Sequence, residues 1–150
     1  MKQIPAALLA LFLILPVLPA LSEEPAPKAA AVDLLEEFVS KLEAKDYPAA
    51  LKCLRLPPGM DEAKGLEVLP QFIERKEISA AGVAIIVKSG KFGKLAEVWN
   101  PERSKSLAEK AGVDLEQCYG LILDPAEVAF YWDGSKMQII RCDDVGKLKQ

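Results

Sequence analysis

Apolar residues recur at Leu34, Leu35, Phe38, Val39 and Leu42, the spacing that lines one face of a 3.6-residue helix. Asp33 stands where an N-cap would, and Glu36 follows three residues on as in a capping box. The pattern predicts a first helix from about residue 33 to residue 45. Asp46 then caps a short second helix, with Pro48 in its first turn and Ala49, Ala50, Cys53 and Leu54 on one face, stopped by Pro57, Pro58 and Gly59. A third helix follows Asp61 and turns Leu66, Leu69, Phe72 and Ile73 inward. Gly65 weakens it, and Pro70 is expected to kink or divide it. Residues 78–99 admit two readings. Ser79 and Gly90 are start and stop signals for a helix through Ala81, Ile85 and Ile86, whereas Val83, Ile85 and Val87 alternate as a strand does, with 88–94 as a hairpin loop. The paired signals favour the helix. Asn100-Pro101-Glu102 opens one more helix, through Leu107 and Ala108 to Gly112.

After Gln117 the period changes to two. Strands are expected at 119–123, 128–132 and 137–142, joined by turns at Asp124-Pro125-Ala126 and Asp133-Gly134. This makes an antiparallel meander with the second strand in the middle. Its register puts Cys118 beside Trp132 or Asp133 and Cys142 beside Pro125 or Glu127. Five residues at ~3.3 Å each, plus two interstrand gaps of ~4.8 Å, then hold the two cysteines well beyond the ~7 Å a disulfide allows. The fold class that follows is α+β: N-terminal helices packed on a C-terminal antiparallel sheet, as a single domain over 32–145 with a tail at 146–150. Tyr119, Phe130, Tyr131 and Trp132 give both sheet faces large apolar side chains. Such a sheet wants cover on both sides, or a cavity on one.

The first residues follow a different logic. Lys2 is a short positive start, residues 6–15 are an apolar run, and Pro16 ends it. Ten residues is signal-peptide length; crossing a bilayer takes ~20. Residues 1–22 are therefore read as a signal peptide cleaved between Ser22 and Glu23, because Ala20 and Ser22 are small. Cleavage after Ala20 is the alternative site, and an uncleaved anchor is the weaker reading. No cysteine lies there to carry a lipid. Residues 23–31, polar and Pro-containing, read as a flexible leader. The implied location is secreted or periplasmic.

The whole chain of 150 residues has 19 basic and 22 acidic side chains, a formal charge of −3; loss of Lys2 leaves 18 and 22, or −4. Interspersed charges of that sign argue against nucleic acid, which needs clustered cations. Histidine is absent, which removes Ser-His-Asp, Cys-His and His-metal chemistry. No Asp-rich calcium loop is present, so no metal and no cofactor is expected. Cys53, Cys118 and Cys142 fit no C-x-x-C or zinc spacing and read as small buried hydrophobes. Gly90-Lys91-Phe92-Gly93 matches the GXXG of a KH loop, but a solvated turn is the stronger reading. Asp143 and Asp144 read as a solvated strand end, since consecutive strand residues face opposite sides.

The order of elements, with Lys45-Asp46-Tyr47-Pro48-Ala49-Ala50-Leu51 opening the short helix and a final sheet containing Tyr131-Trp132-Asp133-Gly134, resembles the NTF2-like superfamily over 33–56 and 117–142. That resemblance implies a curved sheet wrapped on a helix, with a cone-shaped pocket used for ligands, dimerisation or catalysis. It carries over no catalytic residue. Trp99, Tyr119, Tyr131 and Arg141 are the candidate pocket residues. The functional expectation is a binding or accessory module whose partner is a small molecule or a protein, a second copy of the chain among them. A histidine-free lyase, isomerase or hydrolase, and a purely structural exported protein, are the alternatives.

Overall fold

A computed structural model describes residues 26–149. The expected signal peptide at 1–22, with its expected cleavage between Ser22 and Glu23, lies outside the described residues. The elements run α1 (Ala26–Glu43), α2 (Tyr47–Leu51), α3 (Glu62–Lys76), α4 (Ala80–Ser89), β1 (Lys91–Lys94), α5 (Leu95–Val98), α6 (Pro101–Ala111), β2 (Cys118–Leu123), β3 (Ala126–Trp132) and β4 (Met137–Asp143), with single 3-10 turns at Leu115–Gln117 and Val145–Lys147. The architecture is α+β, with helices first and the antiparallel sheet at the C-terminal end. No described helix is long and apolar enough to cross a membrane.

Most helix starts are where the side-chain signals put them. The carboxylates of Asp46 and Asp61, the Ser79 hydroxyl and the Asn100 amide oxygen each accept from a backbone N–H in the first turn of α2, α3, α4 and α6, satisfying donors that have no intrahelical partner. Several expectations need correction. The first helix starts at Ala26, not Asp33, so residues 26–31 are helical rather than a flexible leader, and Ala31 is fully buried. Three consecutive alanines propagate a helix as well as any sequence does, and Ala31 adds a core contact that polar neighbours conceal. The segment 146–150 is not a loose tail: Val145 and Leu148 are buried, and the Gly146 N–H bonds to the Glu77 carbonyl. Gly82 is what allows this seating, because a Cβ there would collide with the Val145 carbonyl. α3 runs unbroken through Pro70.

The sheet has four strands in the order β1-β2-β3-β4, all antiparallel. β1 was not anticipated: 91–94 is neither a hairpin loop nor a solvated turn, but an edge strand paired Lys91 to Ile122 through Lys94 to Tyr119. Its four residues carry one apolar side chain, too short a pattern to register as a strand. β3 lies between β2 and β4 as expected, but the register differs. Cys118 pairs with Tyr131 and Cys142 with Val128, because the β2–β3 turn takes only Asp124 and Pro125 and because β4 carries a bulge opposite Ala129 and Phe130. None of the three cysteines is in a disulfide.

Both sheet faces are covered. On one, Leu121, Val128, Phe130 and Ile139 pack with Leu35 and Phe38 of α1 and Ile86 of α4, all at 1% exposure or less. On the other, Cys118 and Ala129 meet Leu95 of α5 and Ala108 of α6, flanked by Trp99, Leu107 and Tyr131. Gly120 sets the close approach there, since a Cβ would stand 2.8 Å from Val98 and 3.0 Å from Leu95.

Candidate functional site

After α2 the chain runs alongside β4. The Ile139 N–H donates to the Cys53 carbonyl at 2.9 Å and the Arg55 N–H to the Ile139 carbonyl at 2.8 Å, a short parallel bridge centred on Leu54. Pro57 and Pro58 have no N–H to extend this ladder, so the chain leaves the sheet edge and returns as α3. The departure opens a groove of about 190 Å³ between the 54–60 segment, α3 and the outer edge of β4, walled by Leu54, Leu56, Met60, Val68, Leu69 and Phe72.

The charged side chains among the groove's walls are Arg55 and Arg141, and both are held. Arg55 donates from Nε to the Ala111 carbonyl at 3.4 Å and from Nη1 to Gln138 Oε1 at 3.2 Å, with its guanidinium 5.0 Å from the Tyr131 ring centre. Arg141 leaves the sheet on the side facing α5 and α6. There it meets Glu127 at 3.2 Å and also pairs with Asp143. Asp143 is 5% exposed, which corrects its reading as a solvated strand end. Burial is tolerable because the charge is paired.

Around Glu127 the structure assembles a polar cluster. Its Oε1 accepts from Trp99 Nε1 at 3.0 Å, and its two oxygens accept from Nη1 and Nη2 of Arg103 at 3.3 Å each. The Arg103 and Arg141 guanidiniums stand 4.4 Å and 5.4 Å from the Trp99 ring centre, within cation–π range.

Of the four candidate pocket residues, Trp99 and Arg141 thus come together. Tyr131 shares their sheet face but engages Arg55. Tyr119 projects from the opposite face, stacked on Phe92 with ring centres 5.6 Å apart and with Lys94 above it. Arg55, Arg103 and Glu127 were missed. The available signal was Glu127, a carboxylate within the apolar middle strand.

Cys53 and Cys118 are buried, and burial pushes each thiol up to about 11, with smaller contributions from Glu37 at Cys53 and Asp114 at Cys118. Neither is a nucleophile near neutrality. Among the described residues no group of three or more cysteines and carboxylates is arranged to hold a metal ion. What the groove offers a ligand is removal of apolar surface from water, worth roughly 25 cal/mol per Å². Compared with protein-family models, with curated proteins and with solved structures, the chain matches none.

Proposed function

We propose that the protein is an exported binding module that takes a compact apolar ligand into the groove between α3 and β4. The observation that carries this reading is an unfilled hollow walled by Leu54, Leu56, Met60, Val68, Leu69 and Phe72, beside a sheet face packed solid by Phe38, Phe130 and Ile139. At about 190 Å³ the groove is smaller than the 300–1,000 Å³ typical of drug-sized ligands. A single ring or short aliphatic chain is the size it suits; an apolar cavity of about 150 Å³ takes benzene. Met60 suits such a wall, because its thioether adapts to the shape beside it. The groove lies at the sheet's edge and not in the cone that the NTF2-like resemblance implies, so the reading stands apart from that resemblance.

Toluene titrated into the protein and followed by methyl NMR is the test. Saturable shifts are expected at the Met60 and Leu69 methyls, and Met60→Glu, at a half-buried groove position, is expected to weaken toluene binding at least about tenfold. Shifts spread evenly over the molecule, or a Met60→Glu variant that binds as well as the parent, would sink the reading. Export rests on the apolar run at 6–15 and the small residues Ala20 and Ser22. The protein recovered from the secreted or periplasmic fraction is expected to begin at Glu23; an intact Met1 there would count against it.

A further inference from the structure

α6 presents Arg103, Leu107 and Lys110 to a second hollow of about 240 Å³, completed by Trp99, Ser106 and Arg141. Arg103 and Lys110 are seven residues apart on one helix, about 10.5 Å of helix axis at ~1.5 Å per residue. Leu107 lies between them, and Trp99, just before the helix, lies under the Arg103 guanidinium. The hollow therefore has a guanidinium pair towards one end, an apolar middle and an ammonium towards the other.

The charges there do not cancel. Three cations line the hollow, Arg103, Arg141 and Lys110, and no carboxylate does; the two guanidiniums pair with Glu127 and Asp143 behind it, while Lys110 has no ion-pair partner among the described residues. Nor are the donors exhausted. A guanidinium carries five N–H groups. Arg103 directs two of them at Glu127, and Arg141 directs its Nε and Nη2 at Glu127 and Asp143. Glu127 thereby fixes both guanidiniums over Trp99 while leaving each with further N–H groups to offer. A fork held in place gives up less side-chain entropy when it binds an anion.

We propose that this hollow binds a dicarboxylic acid. One carboxylate sits at the Arg103–Arg141 pair, the apolar spacer lies over Trp99 and Leu107, and the second carboxylate reaches Lys110. A guanidinium fork also matches a phosphate, but a single compact anion uses one end only, and the apolar middle and Lys110 then have no role. The site is separate from the apolar groove, and either can fail without the other.

The chain has two tryptophans, Trp99 and Trp132, and Trp132 lies against the opposite core. In a Trp132→Phe variant the fluorescence reports Trp99 alone. Adipate, hexanoate and inorganic phosphate are the probes, and calorimetric titration of the unaltered chain repeats the comparison without any substitution. Adipate is expected to bind about tenfold more tightly than hexanoate, the scale of one added charge-assisted hydrogen bond. Lys110→Gln, at an exposed helix position, is expected to abolish adipate's advantage while leaving hexanoate unchanged. Arg103→Gln is expected to weaken both acids. Equal affinity for adipate and hexanoate, phosphate binding as tightly as adipate, or a Lys110→Gln variant that keeps the tenfold preference would each overturn the proposal.

Discussion

The two faces of the sheet are built by opposite means. The face towards α1 and α4 is filled by volume: Phe130, Val128, Leu121 and Ile139 interlock with Phe38, Leu35 and Ile86 and exclude water. The face towards α5 and α6 holds small residues at its centre, Cys118, Gly120 and Ala129, so that short helices come close. Beyond that centre it gives way to charge: Glu127, Arg141 and Asp143 with Trp99 and Arg103. The volume-filled face offers a ligand only undirected apolar surface, in the groove along its edge. A face ordered by a carboxylate that gathers guanidiniums keeps directed donors at the surface, and that is where a polar ligand can be recognised.

The comparison is broken most directly by removing the side chain that organises each face. Phe130→Ala deletes a fully buried ring, and the lost transfer energy plus the cavity are expected to cost about 3–5 kcal/mol in urea denaturation. Glu127→Gln keeps the shape and can still accept from Trp99 Nε1, but it withdraws the charge that two guanidiniums share. Glu127 has 20% side-chain exposure, so solvent screens part of that loss, and about 2 kcal/mol is expected. If Glu127→Gln costs as much as Phe130→Ala, the charged cluster is a second structural core, and the contrast between the faces falls.

The same contrast explains what the sequence made legible. Phe38, Val39, Leu66, Leu69 and Phe72 repeat at helical period, and the 119–142 region alternates, so the volume-filled face and the meander could be read from pattern alone. Asp46, Asp61, Ser79 and Asn100 marked helix starts because capping is local chemistry. The charged face could not be read in this way. Arg103 and Glu127 are 24 residues apart in the chain, and only the packing of α6 across β3 brings them together. β1 escaped for a related reason: Phe92 and Gly93 become a strand through pairing with β2, not through their own alternation. The early start of α1 escaped because alanine carries no polarity contrast, yet Ala31 is as deeply buried as Phe38. Trp99 and Arg141 stand in the sequence as candidate pocket residues near Tyr131. That they meet, while Tyr119 does not join them, is decided by strand parity and by the bulge in β4.

The two faces share one property, and alkaline titration sharpens the comparison at the smallest scale. Cys53 belongs to the large core and Cys118 to the small one, yet burial raises both thiols from the ordinary value of 9.0 to about 11. In the unfolded chain each thiol ionises near 9, whereas in the fold it stays protonated until about pH 11. The stability each contributes is therefore fully present below pH 9 and is lost as pH rises through 11. A loss of about 1 kcal/mol is expected for each. Urea unfolding at about pH 8 and again near pH 11 measures it, and Cys53→Ala and Cys118→Ala are each expected to shrink the alkaline loss by the same amount. Lysine and tyrosine titrations are common to all three proteins and cancel in that difference. An alkaline loss removed by Cys53→Ala but not by Cys118→Ala would mean that water reaches the thiol beneath α5 and α6. The small-residue centre of the charged face would then be open to solvent, and desolvation could not be what holds its guanidiniums against Glu127.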